Sequence, residues 1–393
     1  MVPPLPPAPP ACTASDGAEG HVAGCSAAFD PAAPHSADEW LAAARSALRL
    51  AEWSGETPDA ALTSALFTVL LRGGACEEAV EVLVAGGLGH DEVKGLTTRS
   101  LKELITTPCT EASEAGHWEL LRALQSRGMA GVSHHTVVLH GCNSREEVQR
   151  VLQMMSAGGI EGDGMLYSAL HTVLTSWGDS RAAVAAMAEA DGRGVWTARE
   201  ISATATNTLR RLGEGGERSR KAAWRYFEAL LLHELCDRYH LHTMLGLCED
   251  SAQAEKVLAE LTGPRDDDEP GGAVEPHDEL TYELVNKMWI RLGDVERASA
   301  ILAEGHAACG WGRKKLRRKV YGTLLRLYDE AEADAERAEE AERLHLKAVA
   351  YFCALHGRGL TDRQSCRLAL RRCRDAAERA ELRQEVEAAG LGS

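Results

Sequence analysis

Aromatic side chains are scarce in this 393-residue chain, at 5%, and Ala and Leu dominate its apolar fraction. That composition disfavours a β-rich fold and favours helices that meet through small side chains. No apolar run reaches the length of a membrane span. The 11 cysteines are odd in number and scattered, without a Cys-x-x-Cys pair. This excludes a disulfide framework and points to a reducing compartment or to buried thiols. Basic residues are missing from the N-terminal stretch, where the first is Arg45. Residues 1–35 are Pro- and Ala-rich and include Asp16, Glu19 and Asp30. They fit neither a secretory signal, which starts basic, nor a mitochondrial presequence, which is Arg-rich and poor in acids. They read as a disordered tail. Also missing are a Walker loop, a Gly-x-Gly-x-x-Gly turn between strand and helix, a His-Glu-x-x-His motif and a nucleophile elbow. The chain therefore reads as a binding protein rather than an enzyme, with no cofactor implied. Its net charge of −16 opposes non-specific binding to nucleic acid but leaves room for a local basic groove.

What the chain does have is internal repetition. Aligned without gaps, 62–87 and 166–191 are identical at ten of 26 positions, among them Ser64/Ser168, Leu66/Leu170, Gly74/Gly178 and Ala79/Ala183. A third copy places Val285, Gly293 and Ala298 at the Leu66, Gly74 and Ala79 positions. The pattern is a helical hairpin. Leu62, Leu66 and Leu70 make an apolar stripe on a first helix, here helix A. Gly74, Gly178 and Gly293 end it, where glycine takes the left-handed conformation without steric cost. Ala79, Ala183 and Ala298 then let helix B approach closely. Gly86-Gly87 and Gly192 mark the second turn.

A second set of matches lies between these copies: Trp118/Trp224, His134/His240 and Cys142/Cys248, with Cys373 in a third version, and Trp196/Trp311. The large period is thus 104 to 115 residues, three hairpins of about 31–39 residues each. The middle hairpin of each triplet is expected to begin near Thr98, Thr206 and Tyr321. The expected architecture is an all-α solenoid: tail 1–35, capping helix within 36–60, triplets at 61–163 and 164–280, and a third triplet with a C-terminal cap at 281–393. The capping helix is placed at 38–53, with Ser36 as N-cap and Glu39 completing a capping box. Segment 263–275, with Asp266-Asp267-Asp268-Glu269, reads as a solvated acidic loop, and 329–342 as one exposed helix carrying i,i+4 charge pairs.

Leu280-Thr281-Tyr282-Glu283-Leu284-Val285, followed by Leu292-Gly293-Asp294 through Ala298, resembles the opening of the pentatricopeptide repeat. Val320-Tyr321-Gly322-Thr323-Leu324-Leu325 resembles another opening. Met154-Met155 through Asp163 resembles the closing stretch, with Gly162 where Pro is usual. The resemblance covers roughly 60–385, and the alternation of ordinary and short repeats is similar to one subclass of that family. It implies single-stranded RNA binding, about one base per repeat, read by two or three side chains. The implied base readers are the fifth residue of helix A and the last residue of the repeat. Those positions are assigned to Ser64, Arg99, Ser168, Asn207, Glu283 and Gly322, and to Asp163. Glu283 and Gly322 depart from the favoured types. The run Arg313, Lys314, Lys315, Arg317, Arg318 and Lys319 is the strong positive cluster, a candidate grip on phosphates. Some members of the subclass end in a zinc deaminase domain, and nothing like its signature follows Cys373.

The other recurring side chains have plainer readings. His134, His135, His140, His240 and His242 lack a partner set at ligand spacing, so packing explains their recurrence and no metal is expected. Cys142, Cys248 and Cys373 read as buried small residues. The tryptophans could stack on bases but at helical spacing read as core. Two partner classes stay open. One is single-stranded RNA, an organellar transcript by family habit, in an RNA-processing or RNA-stability role. The other is a protein gripped in the same concave groove by a scaffold, which the acidic charge favours. Family habit points to a mitochondrion or plastid, whereas the absence of a visible targeting peptide points to cytoplasm or nucleus.

Overall fold

The computed structural model describes residues 37–388, apart from 56–57, 87, 107–110, 263–277 and 334–337. The 1–35 tail, the Ser36 cap and the acidic segment 263–275 lie outside the described residues. Every regular element among those described is an α-helix, as the composition requires. None of them is long and apolar enough to cross a membrane. They fall in two compact units, Met1–Val93 and Lys94–Ser393.

The first unit holds α1 (Ala37–Ser54), α2 (Ala60–Arg72) and α3 (Cys76–Ala85), with α1 on α2 and α2 on α3. Arg45 makes a two-pronged bond to Glu78, at 2.9 and 2.6 Å. The expected stripe shifts at its first residue. Leu66 and Leu70 are buried but Leu62 is exposed, and Thr63 takes the inner position, donating to Gly86 O. Asp59 starts α2 by accepting from Leu62 N, which sets that register.

α4 (His90–Thr106) crosses the division between the units. The second unit continues as α5 (Glu111–Ser126), α6 (Val132–Gly141), α7 (Arg145–Ala157), α8 (Gly164–Ser176), α9 (Ser180–Gly192), α10 (Ala198–Gly213) and α11 (Glu217–Leu232). It is completed by α12 (Arg238–Leu247), α13 (Ser251–Thr262), α14 (Glu279–Leu292), α15 (Val295–Ala308), α16 (Arg313–Ala333), α17 (Ala338–Gly357), α18 (Arg363–Arg372) and α19 (Ala376–Ala388). Even-numbered helices are helix A and odd-numbered ones helix B. Neighbouring hairpins dock through A helices at α6/α8, α10/α12, α12/α14 and α16/α18, and through B helices at α9/α11 and α15/α17. From α6 onward the unit is therefore a two-layer stack of hairpins, and the compact division of the chain falls at residue 93/94.

Three features of the hairpin follow from sequence. Gly74, Gly178 and Gly293 have φ of 78°, 75° and 89°, and the amide after each bonds back to a carbonyl in the last helical turn. Ala79, Ala183 and Ala298 are fully buried where helix B meets helix A. Trp196 and Trp311 are buried against the start of their own helix A: Trp196 Nε1 donates to Gly164 O at 3.1 Å, and Trp311 meets Tyr282 edge-on.

Other features depart from expectation. The left-handed residue of the second turn is Gly194, with Gly192 still in α9. The exposed stretch 329–342 is the end of α16 and the start of α17, with 334–337 outside the described residues. Helix A of the middle hairpins starts at His90, Ala198 and Arg313, eight residues before Thr98, Thr206 and Tyr321 in each case. In α10 the start is set by Thr197, which accepts from Glu200 N while Glu200 accepts from Thr197 N.

Two stability tests follow. Gly178→Ala forces a side chain into the left-handed region, so its urea midpoint should fall by the equivalent of about 1–2 kcal/mol. His171 is buried, with Nε2 2.7 Å from Tyr226 Oη. Burial first, and Arg211 second, push its pKa down to about 4 from the usual 6.5. The unfolded chain therefore takes up the proton first as pH falls. This histidine costs nothing above about pH 6.5 and removes on the order of 3 kcal/mol between there and pH 4. Urea unfolding across that window should show a shallower pH dependence for His171→Gln than for the parent.

Candidate nucleic-acid interface

In the second unit the start of helix A is a side-chain capping site in α8, α10, α12, α14 and α18. Asp163, Thr197, Asp237, Asp278 and Asp362 accept the backbone N–H of Leu166, Glu200, His240, Thr281 and Ser365. An oxygen at the N-cap satisfies one of the four amide donors a helix leaves open there. In two of the three short hairpins a histidine completes the cap. His134 Nδ1 accepts from Gly131 N at 3.0 Å, and His240 Nδ1 accepts from Asp237 N at 2.9 Å. Their other nitrogens reach the preceding helix A, His134 Nε2 to Thr97 Oγ1 at 2.7 Å and His240 Nε2 to Ser202 O at 3.2 Å. Burial lowers the pKa of His240, which keeps Nδ1 free to accept. The recurrence of these histidines is thus helix capping.

The cysteines recur for the same kind of reason. Cys142, Cys248 and Cys373 are the C-caps of α6, α12 and α18, buried, each with Sγ against the carbonyl four residues back. Burial pushes the Cys142 and Cys248 thiols up to about 12.

Ser64, Ser168 and Glu283 are each the fifth residue of their helix A, Ser64 in the first unit and the others in the second. Ser168 is exposed; Ser64 and Glu283 are half-buried. Arg99, Asn207 and Gly322 are exposed but lie at the tenth residue of α4, α10 and α16. The fifth residues of those helices are Lys94, Ser202 and Arg317. In the short hairpins they are Thr136, His242 and Arg367. The displacement arises because sequence similarity marks the middle of these helices, whereas their start is set by a cap the repeats do not share.

With that register, several fifth residues meet the start of the next helix A. Ser202 Oγ donates to Asp237, and Arg317 Nε lies 2.8 Å from Asp362. His242 Nε2 is 2.8 Å from Thr281 Oγ1, whose own hydroxyl donates to Asp278. Glu283 is instead held by Lys319, which also pairs with Glu279 at 2.7 Å and sits 4.7 Å from the Trp311 ring centre. Beside these polar groups, the second residues Met165, Tyr239 and Leu280 are 70%, 68% and 50% exposed. Tyr167 and Tyr282, in contrast, are buried and donate to Glu189 and Glu304 of their own helix B.

The basic run divides. Lys315 pairs with Glu279, Arg317 with Asp362 and Lys319 with Glu279 and Glu283, whereas Arg313, Lys314 and Arg318 are exposed with no ion pair among the described residues. A row absent from the sequence reading adjoins it: Arg363, Arg367 and Arg371, all exposed on α18. Their i, i+4, i+8 spacing is the signal that could have found them.

Asp163 can be tested as a cap. Asp163→Ala should cost about 1 kcal/mol in urea unfolding, whereas Asp163→Asn, which keeps an acceptor, should cost a few tenths at most.

No family model and no curated protein matches the chain. Among solved structures it is similar to the pentatricopeptide repeat protein PPR10 from maize, at 17% identity over 88% of this chain and 51% of that one, with a TM-score of 0.39. The same protein in complex with an 18-nt psaJ RNA element matches at 16% identity over 91% and 70% of the two chains, TM-score 0.22. A variant of it with three cysteines changed to serine, bound to that RNA, matches at 15% identity over 91% and 70%, TM-score 0.18. The chain spans about half the length of the first of these. At this level the likeness says nothing of what this chain binds, and the helices themselves establish it as an all-α array of stacked hairpins.

Proposed function

We propose that the chain is a single-stranded RNA-binding helical-repeat protein, reading bases along the A helices of its second unit and acting in RNA processing or stability. The carrying observation is the pairing of a polar fifth residue with the capping acid of the next helix A, as in Ser202 with Asp237 and Arg317 with Asp362. A base edge is recognised by donors and acceptors held in fixed pairs, and single-stranded bases leave that edge open. Exposed Met165, Tyr239 and Leu280 supply apolar surface at the second position of their helices, suited to a base face. The absence of Lys, Arg, Asp and Glu from α6 and α8 fits reading by neutral groups there.

In this reading the register moves the pairs: Ser202 with Asp237, His242 with Asp278, and Arg317 with Asp362. Ser168 keeps its role, and Arg99, Asn207 and Gly322 lose theirs. An organellar transcript as target rests on the family resemblance alone.

The test is crosslinking of the full chain to RNA at moderate salt, with sequencing of the bound fragments. Enriched single-stranded fragments are expected. Asp237→Asn keeps the cap but replaces an acceptor by a donor, so it should change base preference at one position while retaining binding. Recovery of no RNA above a control protein would sink this reading in favour of a protein scaffold.

A further inference from the structure

Charge is distributed unevenly along the helix A layer of the second unit. α6 and α8 carry no Lys, Arg, Asp or Glu, while α18 places Arg363, Arg367 and Arg371 on successive turns. These three line a cavity of about 660 Å³ between α16 and α18, together with Arg317 and Tyr321. The one carboxylate there, Asp362, is already engaged by Arg317 and by the Ser365 amide that it caps. Arg363, Arg367 and Arg371 have no ion pair among the described residues. A second cavity of about 750 Å³ shares Arg317, Asp362 and Arg363 and continues past Arg313 and Lys314. The two make one basic cleft in a chain whose net charge is −16.

Like charges one turn apart destabilise a helix, so this row is unfavourable until an anion lies along it. Each step of four residues rises roughly 6 Å, comparable to the step between neighbouring phosphates of an extended strand. Guanidinium groups bind phosphate oxygens two at a time. Tyr321 adds a ring on which a base can stack.

We propose that the α16/α18 cleft is the backbone anchor of the RNA site, with Arg363, Arg367 and Arg371 gripping consecutive phosphodiesters and Tyr321 stacking on a base between them. This rests on the RNA reading above and places most of the salt-dependent affinity at one end of the base-reading row. The arginine row thus holds the strand at the end of the base-reading row that the Arg317–Asp362 pair occupies.

The test uses the full chain and a fluorescein-labelled oligouridine single strand, with binding followed by anisotropy over a range of salt. Arg367→Gln/Arg371→Gln should weaken binding roughly tenfold at about 0.15 M salt and flatten the slope of log affinity against log salt by about 1.4, two phosphate contacts at ~0.7 each. Arg367→Lys/Arg371→Lys should restore the slope, which a packing role for these arginines would not predict. Arg218→Gln, on α11 in the other layer, should change neither quantity. An unchanged slope in the double Gln variant, with the parent binding normally, overturns the anchor and leaves the RNA reading standing. No binding of any single strand by the parent overturns both. Displacement of the RNA by poly-glutamate as readily as by unlabelled oligouridine overturns the choice of phosphate.

Discussion

The capping oxygen that starts five of the A helices is the contact on which most of the second unit depends. Asp163, Thr197, Asp237, Asp278 and Asp362 each accept an amide of the first turn, which fixes where the helix begins and therefore which side chains face inward. Three of these residues are also points of attachment for the preceding hairpin. Ser202 donates to Asp237, Arg238 pairs with Asp278 at 3.3 Å, and Arg317 pairs with Asp362. One short side chain thus sets helix register and hairpin-to-hairpin register together. That coupling matters in a solenoid, where each repeat contacts only its neighbours and an error in one junction is not corrected by distant contacts.

Around those starts the core is built from small and apolar residues rather than from many aromatics. Ala79, Ala183 and Ala298 let helices approach, and the few large rings close individual hairpins, as Trp196 does over Gly164 and Trp311 against Tyr282. Several buried polar groups find partners in the next element: His134 and His240 cap their own helices while reaching the neighbouring one, and Tyr351 Oη donates to Asn286 at 3.0 Å. Burying such groups without partners would cost more than the packing around them gains. The buried histidines, cysteines and tyrosines named here are therefore structural parts.

Surface charge follows the same local logic. Lys319 is occupied by Glu279 and Glu283 and covered by the Trp311 ring, so its position in the most basic run of the sequence does not make it available to a phosphate. The arginines of α18 are less conspicuous in sequence because Gln364, Ser365, Leu368 and Ala369 separate them, yet the helix collects them on one side. Linear density of charge is a poor guide to usable charge when neighbouring helices carry the counter-ions.

The sequence by itself determined the class of structure and its turns. Periodic leucines demand helices, Gly74, Gly178 and Gly293 must end them because the left-handed conformation there excludes most side chains, and recurring alanines mark where two helices touch. These are local requirements, written in residues a few positions apart. The middle helices begin eight residues before the repeat similarity, in α10 at the local Thr197–Glu200 cap, which moves the fifth position from Arg99, Asn207 and Gly322 to Lys94, Ser202 and Arg317. Tertiary structure alone decided which side chains meet across hairpins. It also decided which cations are paired and which acids meet which helix. Those outcomes depend on residues 30 to 50 positions apart, such as Arg317 with Asp362 and Ser202 with Asp237. No spacing rule within one hairpin encodes them, because the partner belongs to the next hairpin and is brought near only when the two stack.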